Sequence, residues 1–296
     1  MPSLSARLFG GFLRLTGYVS KNFNGGPGMP KVIEAARQIP VPSPTKKQRA
    51  RVDVREESFN GQPVFHLSPK GGVAPKGHML FWHGGGYVFA ISPFHWTALT
   101  NIVERHGVAI TVPYYPLAPE HGVLETTAHA MDFYRHYLEQ VPGPFVMGGD
   151  SAGGGLTVVT AMAARDAGLR LPAALSLICP WLDAEAPHPE QVEIEKRDCI
   201  LRILGIRDAG KMYARDLPPS DPRVSPIHGR WDGLPPMQVF AGGDDILVAD
   251  SRALKAKLPS IDLDERAGLM HDWPIFFFPE AKEAQDAIGR FVAAAA

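Results

Sequence analysis

The stretch PFVMGGDSAGGGLTVVTAMAA, residues 144–164, decides the architecture. PFVM reads as a short apolar strand and LTVVTAMAA as a helix of small residues. Between them GGDSAGGG, residues 148–155, crowds five glycines around Ser151. Glycine costs chain entropy on folding, so such density is expected where a tight turn or a close approach leaves no room for side chains. Residues 149–153 fit G-x-S-x-G, a pattern that is weak alone and informative where a strand runs in and a helix runs out. There the serine sits on a strained turn, beside the free N–H groups and positive end of the helix. No G-K-[ST] follows, which separates the stretch from a phosphate-binding P-loop.

Outward from this turn the chain alternates. RVDVREESF and QPVFHLSP flank NGQ and read as a hairpin. Strand patterns recur in GHMLFWHGGG, VAITVPYYP, GPFVMGG, AALSLICPW and MQVFAGGDD, with IDLDERAG as a further candidate. Helical patterns lie between them, the first opened by Ser92 as N-cap and Pro93. Strands alternating with helices predict an α/β fold, a mostly parallel sheet covered on both faces. Two segments break the rhythm. Residues 183–222 carry no strand pattern and are expected to hold one or two helices on the edge where binding elements belong. Residues 21–47 are rich in Pro and Gly and read as a loop or hinge. Ahead of them Leu4, Leu8, Phe12, Leu15 and Val19 fall near helical spacing. Arg7 and Arg14 interrupt the apolar run, so it does not read as a signal peptide. The plainer expectation is an amphipathic helix whose apolar face packs on the rest of the protein; the alternative is a helix lying on a membrane surface.

Composition narrows the function class. The 296 residues carry a formal net charge of -1, which gives no electrostatic case for nucleic acid. No run reaches the length of a membrane span, so no stable membrane insertion is expected. Two cysteines, Cys179 and Cys199, are too few for a disulfide framework and lack metal-site spacing. Cys179 is expected as a small buried hydrophobe, and this usage suits a reducing cytoplasm.

A serine hydroxyl is a poor nucleophile unless a base within hydrogen-bond reach takes its proton and a third group orients the base. On a strand–turn–helix serine the acid follows, and the histidine comes last. Among His188, His228 and His271, the histidines after Ser151, only His271 also follows the strand MQVFAGGDD. Asp244, Asp245 and Asp250 compete for the acid, and neighbours on a strand point apart; Asp244 and Asp245 cannot both serve, and their spacing alone does not choose. HGGGY, residues 83–87, ends the earlier strand. Its glycines let backbone N–H groups approach a developing oxyanion, making Gly84 and Gly85 expected donors with Ala152 as a third. His83 precedes the serine and is expected to brace this loop.

Together HGGGY, YYPLAPEH, GDSAGG, DPRVSP, DDILVAD and the late His271 resemble the hormone-sensitive-lipase-like family of α/β-hydrolase esterases, from about residue 50 onward. The resemblance implies an α/β-hydrolase fold in a single domain, with a helical cap built from about residues 1–45 and 183–222. It implies Ser151 as nucleophile, His271 as base and acid, and an oxyanion hole of Gly84, Gly85 and Ala152. It favours Asp245 as the acid, with Asp250 as its follower. One departure is Pro116, where relatives usually carry an arginine that forms a local ion pair. The implied activity is a serine carboxylesterase acting on short- to medium-chain acyl esters, without cofactor or metal. The implied partners are a small-molecule ester and a second copy of the chain. Tyr87, Leu204, Met212 and Tyr213 are expected on the pocket wall. An amidase or peptidase, or a non-catalytic binding protein on the same fold, are the alternatives; the late histidine counts against the last.

Overall fold

The computed structural model describes residues 1–17 and 19–295. Among them ten α-helices and eight strands alternate as the apolar pattern predicts. In chain order these are α1 (Leu4–Thr16), α2 (Met29–Arg37), α3 (Lys46–Arg51), β1 (Val52–Phe59), β2 (Gln62–Pro69), β3 (His78–Trp82), α4 (Pro93–His106), β4 (Ala109–Pro113), α5 (Val123–Gln140), β5 (Val146–Asp150) and α6 (Ala152–Asp166). They continue with β6 (Ala174–Ile178), α7 (Glu190–Glu195), α8 (Ile203–Ala214), β7 (Met237–Gly242), α9 (Val248–Lys257), β8 (Asp262–Arg266) and α10 (Pro279–Ala294).

One sheet of eight strands runs in the order β1-β2-β4-β3-β5-β6-β7-β8. The β1–β2 and β2–β4 pairs are antiparallel, and all later pairs are parallel. The hairpin turns at Asn60 and Gly61, both at positive φ, as Asn-Gly in a two-residue turn requires. Strands β5, β6 and β7 are buried at every residue, because helices cover both faces. The chain leaves β3 for β4 on one side and then returns across it to β5 on the other. Helices α4 and α5 therefore pack on opposite faces, and a crevice opens beyond the strand ends where the winding reverses. The HGGG loop leaves β3 and Ser151 leaves β5, so both border that crevice.

The N-terminal region departs from expectation twice. Residues 29–37 form α2 where a loop was expected: Pro30 occupies its first turn, and Met29 and Ile33 bury one face. Helix α1 also forms, but its apolar face is turned the other way. Ala6 and Leu13 are buried, whereas Leu4, Leu8, Phe12 and Leu15 are 65%, 65%, 52% and 90% exposed. The expectation that this leucine face packs on the protein is thus wrong; Ala6, Phe9 and Leu13 make that contact, with Phe9 against Phe94 and Phe276 and Gly10 against Met270.

The N-terminal region and the insertion after β6 meet. The Phe23 backbone lies against Gly205 so closely that a Cβ there would overlap it, and the Gly26 N–H donates to Asp208 Oδ2 at 2.7 Å. Arg37 of α2 donates to the carbonyls of Val88 and Ala118 at 2.7 Å each and pairs with Glu120. A guanidinium from α2 therefore reaches the Glu120 loop that Pro116 leaves without its neighbouring arginine.

Candidate active site

Ser151 sits at φ 51°, ψ −121°, between the last residue of β5 and the first of α6. A non-glycine residue rarely holds a positive φ unless its surroundings force it. The forcing is visible. The Ser151 N–H donates to the Ile178 carbonyl at 2.8 Å, and its own carbonyl accepts from Trp181 at 2.9 Å. The strain rests on the serine, while its glycines supply space. A Cβ on Gly153 would overlap the Trp82 carbonyl, and one on Gly155 would strike the Trp181 carbonyl. The last glycines thus fit α6 against the chain leaving β6.

Asp245 and His271 leave β7 and β8 at the same sheet edge. The His271 Nδ1–H donates to Asp245 Oδ2 at 2.8 Å, and Asp245 Oδ1 accepts from the Leu247 N–H at 2.8 Å. Both side chains are buried. Asp244 points away, to an exposed pair with Arg197 at 2.9 Å. Asp250, also buried, accepts from the N–H groups of Leu182 and Asp183, so it ties the loop after β6 to α9.

The other ring nitrogen of His271 is occupied. Its Nε2 lies 3.1 Å from Asp272 Oδ2, and Ser151 Oγ makes no hydrogen bond among the described residues. Asp272 holds the left-handed conformation, φ 53°, and its Oδ1 is buried without a partner. Burial opposes a charge on His271, but Asp245 and Asp272 outweigh it and hold the imidazole well above the ordinary histidine range. Burial pushes Asp272 itself up to about 7, against the pull of His271. Cys179 Sγ, a ring nitrogen of His271 and a carboxylate oxygen of Asp272 lie within 4.8 Å of one another. Those three could hold a metal ion only by taking the histidine nitrogen that faces away from Asp245.

The HGGG loop is braced as well as glycine-rich. The His83 Nδ1–H donates to the Gly84 carbonyl at 2.7 Å, and the ring stacks on Tyr115 at 4.4 Å. Burial lowers His83 to about 4, so it stays neutral. The Gly84 N–H requires a correction: it donates to Asp150 Oδ1 at 2.9 Å inside the protein and is not a free donor. The other Asp150 oxygen accepts from His95 Nε2 at 2.9 Å. Burial opposes ionisation of Asp150, but His95 outweighs it and holds the carboxyl below its ordinary range. The N–H groups of Gly85, Gly86 and Ala152 have no partner among the described residues. Gly85 has φ 119°, a conformation that side chains disfavour.

Of the four wall residues, Tyr87 and Tyr213 come together, their rings stacked at 3.7 Å and 4°. Trp181 lies 5.7 Å from Tyr87. Met212 is half-buried against the core. Leu204 is 52% exposed and packs on Gly25, so it does not join this aromatic wall. Sequence reasoning missed Asp272, His95, Asp198 and Gly86. Asp198 of the insertion accepts from the N–H groups of Ile200, Leu201 and Ile246, clamping the segment beside Asp245. Only Gly86 carried a signal, being the third glycine of HGGG.

Known proteins resemble this chain in sequence and fold. Residues 79–274 match the model of a family described by its alpha/beta hydrolase fold. An acetyl-hydrolase of Streptomyces hygroscopicus is 30% identical over 83% of this chain and 88% of its own. An esterase of Acinetobacter venetianus is 30% identical over 81% and 77%. The crystal structure of an esterase from the bacterial hormone-sensitive lipase family superposes with a TM-score of 0.83 at 26% identity, covering 100% of this chain and 99% of that one. The chain therefore belongs to the hormone-sensitive-lipase-like esterases of the alpha/beta hydrolase fold, and it is a carboxylic-ester hydrolase.

Proposed function

We propose that this esterase hydrolyses short- to medium-chain acyl esters through Ser151, His271 and Asp245. The observation that carries the reading is the buried 2.8 Å pair of His271 Nδ1 and Asp245 Oδ2, at the sheet edge that also holds the strained Ser151. With its proton on Nδ1, neutral His271 has a lone pair on Nε2. When Nε2 turns from Asp272 to Ser151 it takes the hydroxyl proton as Oγ bonds to the ester carbonyl carbon. The carbonyl electron pair moves onto oxygen, where the N–H groups of Gly85, Gly86 and Ala152 stabilise it. The imidazolium, steadied by Asp245, returns its proton to the departing alkoxide. Water then repeats the sequence on the acyl-enzyme and frees Ser151.

Residues 1–45 and 183–222 form the cap in this reading, because the two segments are locked together through Phe23–Gly205 and Gly26–Asp208. The aromatic wall of Tyr87, Tyr213 and Trp181 favours short acyl groups, as does a relative named acetyl-hydrolase. The test is turnover of p-nitrophenyl esters from acetate to decanoate by the wild type and Ser151→Ala. Activity should peak at the shorter chains and vanish in the variant; equal slow hydrolysis by both would remove Ser151 from the mechanism.

A further inference from the structure

An amphipathic helix of a soluble domain ordinarily turns its large apolar side chains inward. Helix α1 turns four of its six large apolar side chains outward and only Phe9 and Leu13 inward. At 100° per residue, Leu4, Leu15, Leu8 and Phe12 fall within about 80° of arc, opposite buried Ala6 and Leu13. Arg7 and Arg14 border this stripe on one side, both exposed. Among the described residues Arg14 reaches only a backbone carbonyl, that of Arg197. No acidic residue occurs before Glu34, while Arg7, Arg14, Lys21 and Lys31 do. The apolar surface continues into Phe277, itself 50% exposed, whose ring lies 5.0 Å from Phe9 of α1.

The helix is firmly seated behind this stripe. Ser3 Oγ donates to Glu280 Oε2 at 2.8 Å, Gly10 faces Met270, and Arg14 holds the insertion. The exposed leucines are thus presented by a docked element. A second copy of the chain fits the stripe poorly. An antiparallel twofold pairing of α1 with itself would set Arg7 and Arg14 of both copies side by side, and in a parallel one they would still meet no carboxylate on the facing helix. A surface of anionic lipid answers both features, apolar chains for the leucines and phosphates for the arginines.

We propose that α1 is a lipid-surface docking helix, laying Leu4, Leu8, Phe12 and Leu15 into the boundary of an anionic bilayer with Arg7 and Arg14 against its phosphates. The helix does not cross: no helix among the described residues is long and apolar enough to span a membrane. The proposal is independent of the catalytic assignment. Because α1 touches Met270, next to His271, docking sets that edge of the protein against the lipid.

The experiment is co-sedimentation of the full chain with vesicles of phosphatidylglycerol or of phosphatidylcholine, for the wild type and for Leu8→Glu/Leu15→Glu. Both leucines are largely exposed, so the double variant should keep its fold, its hydrodynamic mass and its turnover of p-nitrophenyl acetate. The wild type should bind phosphatidylglycerol vesicles, bind phosphatidylcholine more weakly, and lose binding as salt screens the arginines. The double variant should bind at least about tenfold more weakly, as expected when buried apolar area sets the affinity. Wild type that stays in the supernatant with both vesicles, or a double variant that binds equally well, overturns the proposal. So does a wild-type dimer in light scattering that the double variant splits, since that would give the stripe to a second copy.

Discussion

His271 lies between two carboxylates that play opposite parts. In the proposed mechanism Asp245 on Nδ1 stabilises the imidazolium that forms when Ser151 is deprotonated, while Asp272 on Nε2 favours the same cation before any substrate is present. The base must be neutral to act, so kcat/KM rises with pH as His271 loses its proton. Both carboxylates raise that value, and the acid limb should lie above the ordinary histidine pKa of about 6.5. Asp272→Asn removes one of them and should move the limb to lower pH with turnover retained at high pH; an unmoved limb in a pH–rate profile would dismiss the competition. Asp245→Asn should instead cost activity by a factor of about 10⁴ at every pH, as loss of an orienting carboxylate does elsewhere. Asp244→Asn should stay near wild type in the same assay, because it loses only an exposed pair. The sequence narrowed the orienting acid to neighbours and left Asp244 against Asp245 to the resemblance. The structural discriminator, Arg197 drawing Asp244 outward, comes from an insertion 47 residues away. Asp272 was illegible because its role depends on a backbone turn, φ 53°, that no pattern of residue types encodes.

The junction of β5 with α6 concentrates the steric demands of the fold. Gly153→Ala would drive a methyl into the Trp82 carbonyl, which is backbone and cannot rotate away. We expect a loss of roughly 1–3 kcal/mol or more, the usual range for overpacking a filled site. Gly11→Ala is the control: no atom outside its neighbourhood lies within 4 Å of the new methyl, and the site is inside α1. There alanine should stabilise by up to about 1 kcal/mol through helix propensity. Denaturant titrations of both variants read the contrast directly, and a Gly153→Ala protein as stable as wild type would contradict the packing described here. Elements buried on nearly every side were legible as short apolar or small-residue runs bounded by glycines, as β3, β5 and α6 show. Helix α1 was legible as a helix but not in orientation, since periodicity names the apolar face and not what faces it. Helix α2 was hidden because prolines and glycines on either side outweighed the short pattern of Met29 and Ile33.

Taken over the whole molecule, the notable charge feature is an excess of carboxylates buried near the site. Asp198, Asp245 and Asp250 are buried around His271, with Asp272 beside it. Burial, reinforced by Asp245, pushes Asp198 up to about 7, and burial pushes Asp272 up to about 7 as well. Burial raises Asp250 well above its ordinary range too. In sequence each resembles a solvated aspartate; it is the insertion and the loops after β6 and β7 that enclose them. The consequence for stability follows from proton linkage. An unfolded aspartate titrates near 3.9, so from about pH 4 to 7 these raised carboxylates hold more protons in the folded chain than in the unfolded one, and through them stability falls as pH rises. His271 acts in the same direction: its raised value favours the fold below the unfolded histidine pKa, and that contribution is lost as pH climbs through the folded one. Carboxylates held low, such as Glu57 at about 2, matter only as pH drops below the ordinary carboxylate range, whereas His66, His78, His83 and His129, held low by burial, add stability as pH rises toward the unfolded histidine pKa and so oppose this trend below about pH 6.5. Above about pH 6.5 only the raised groups still titrate, so the melting temperature should decline from about pH 6.5 to pH 8 in scanning calorimetry. Asp198→Asn should start lower, because the amide oxygen cannot replace both carboxylate oxygens that now accept three backbone N–H groups. It should also decline less steeply, because one of the titrating protons is gone. A melting temperature that rises across this range in the wild type would show that these carboxylates reach solvent or a cation, and that their burial is not what sets the pH response.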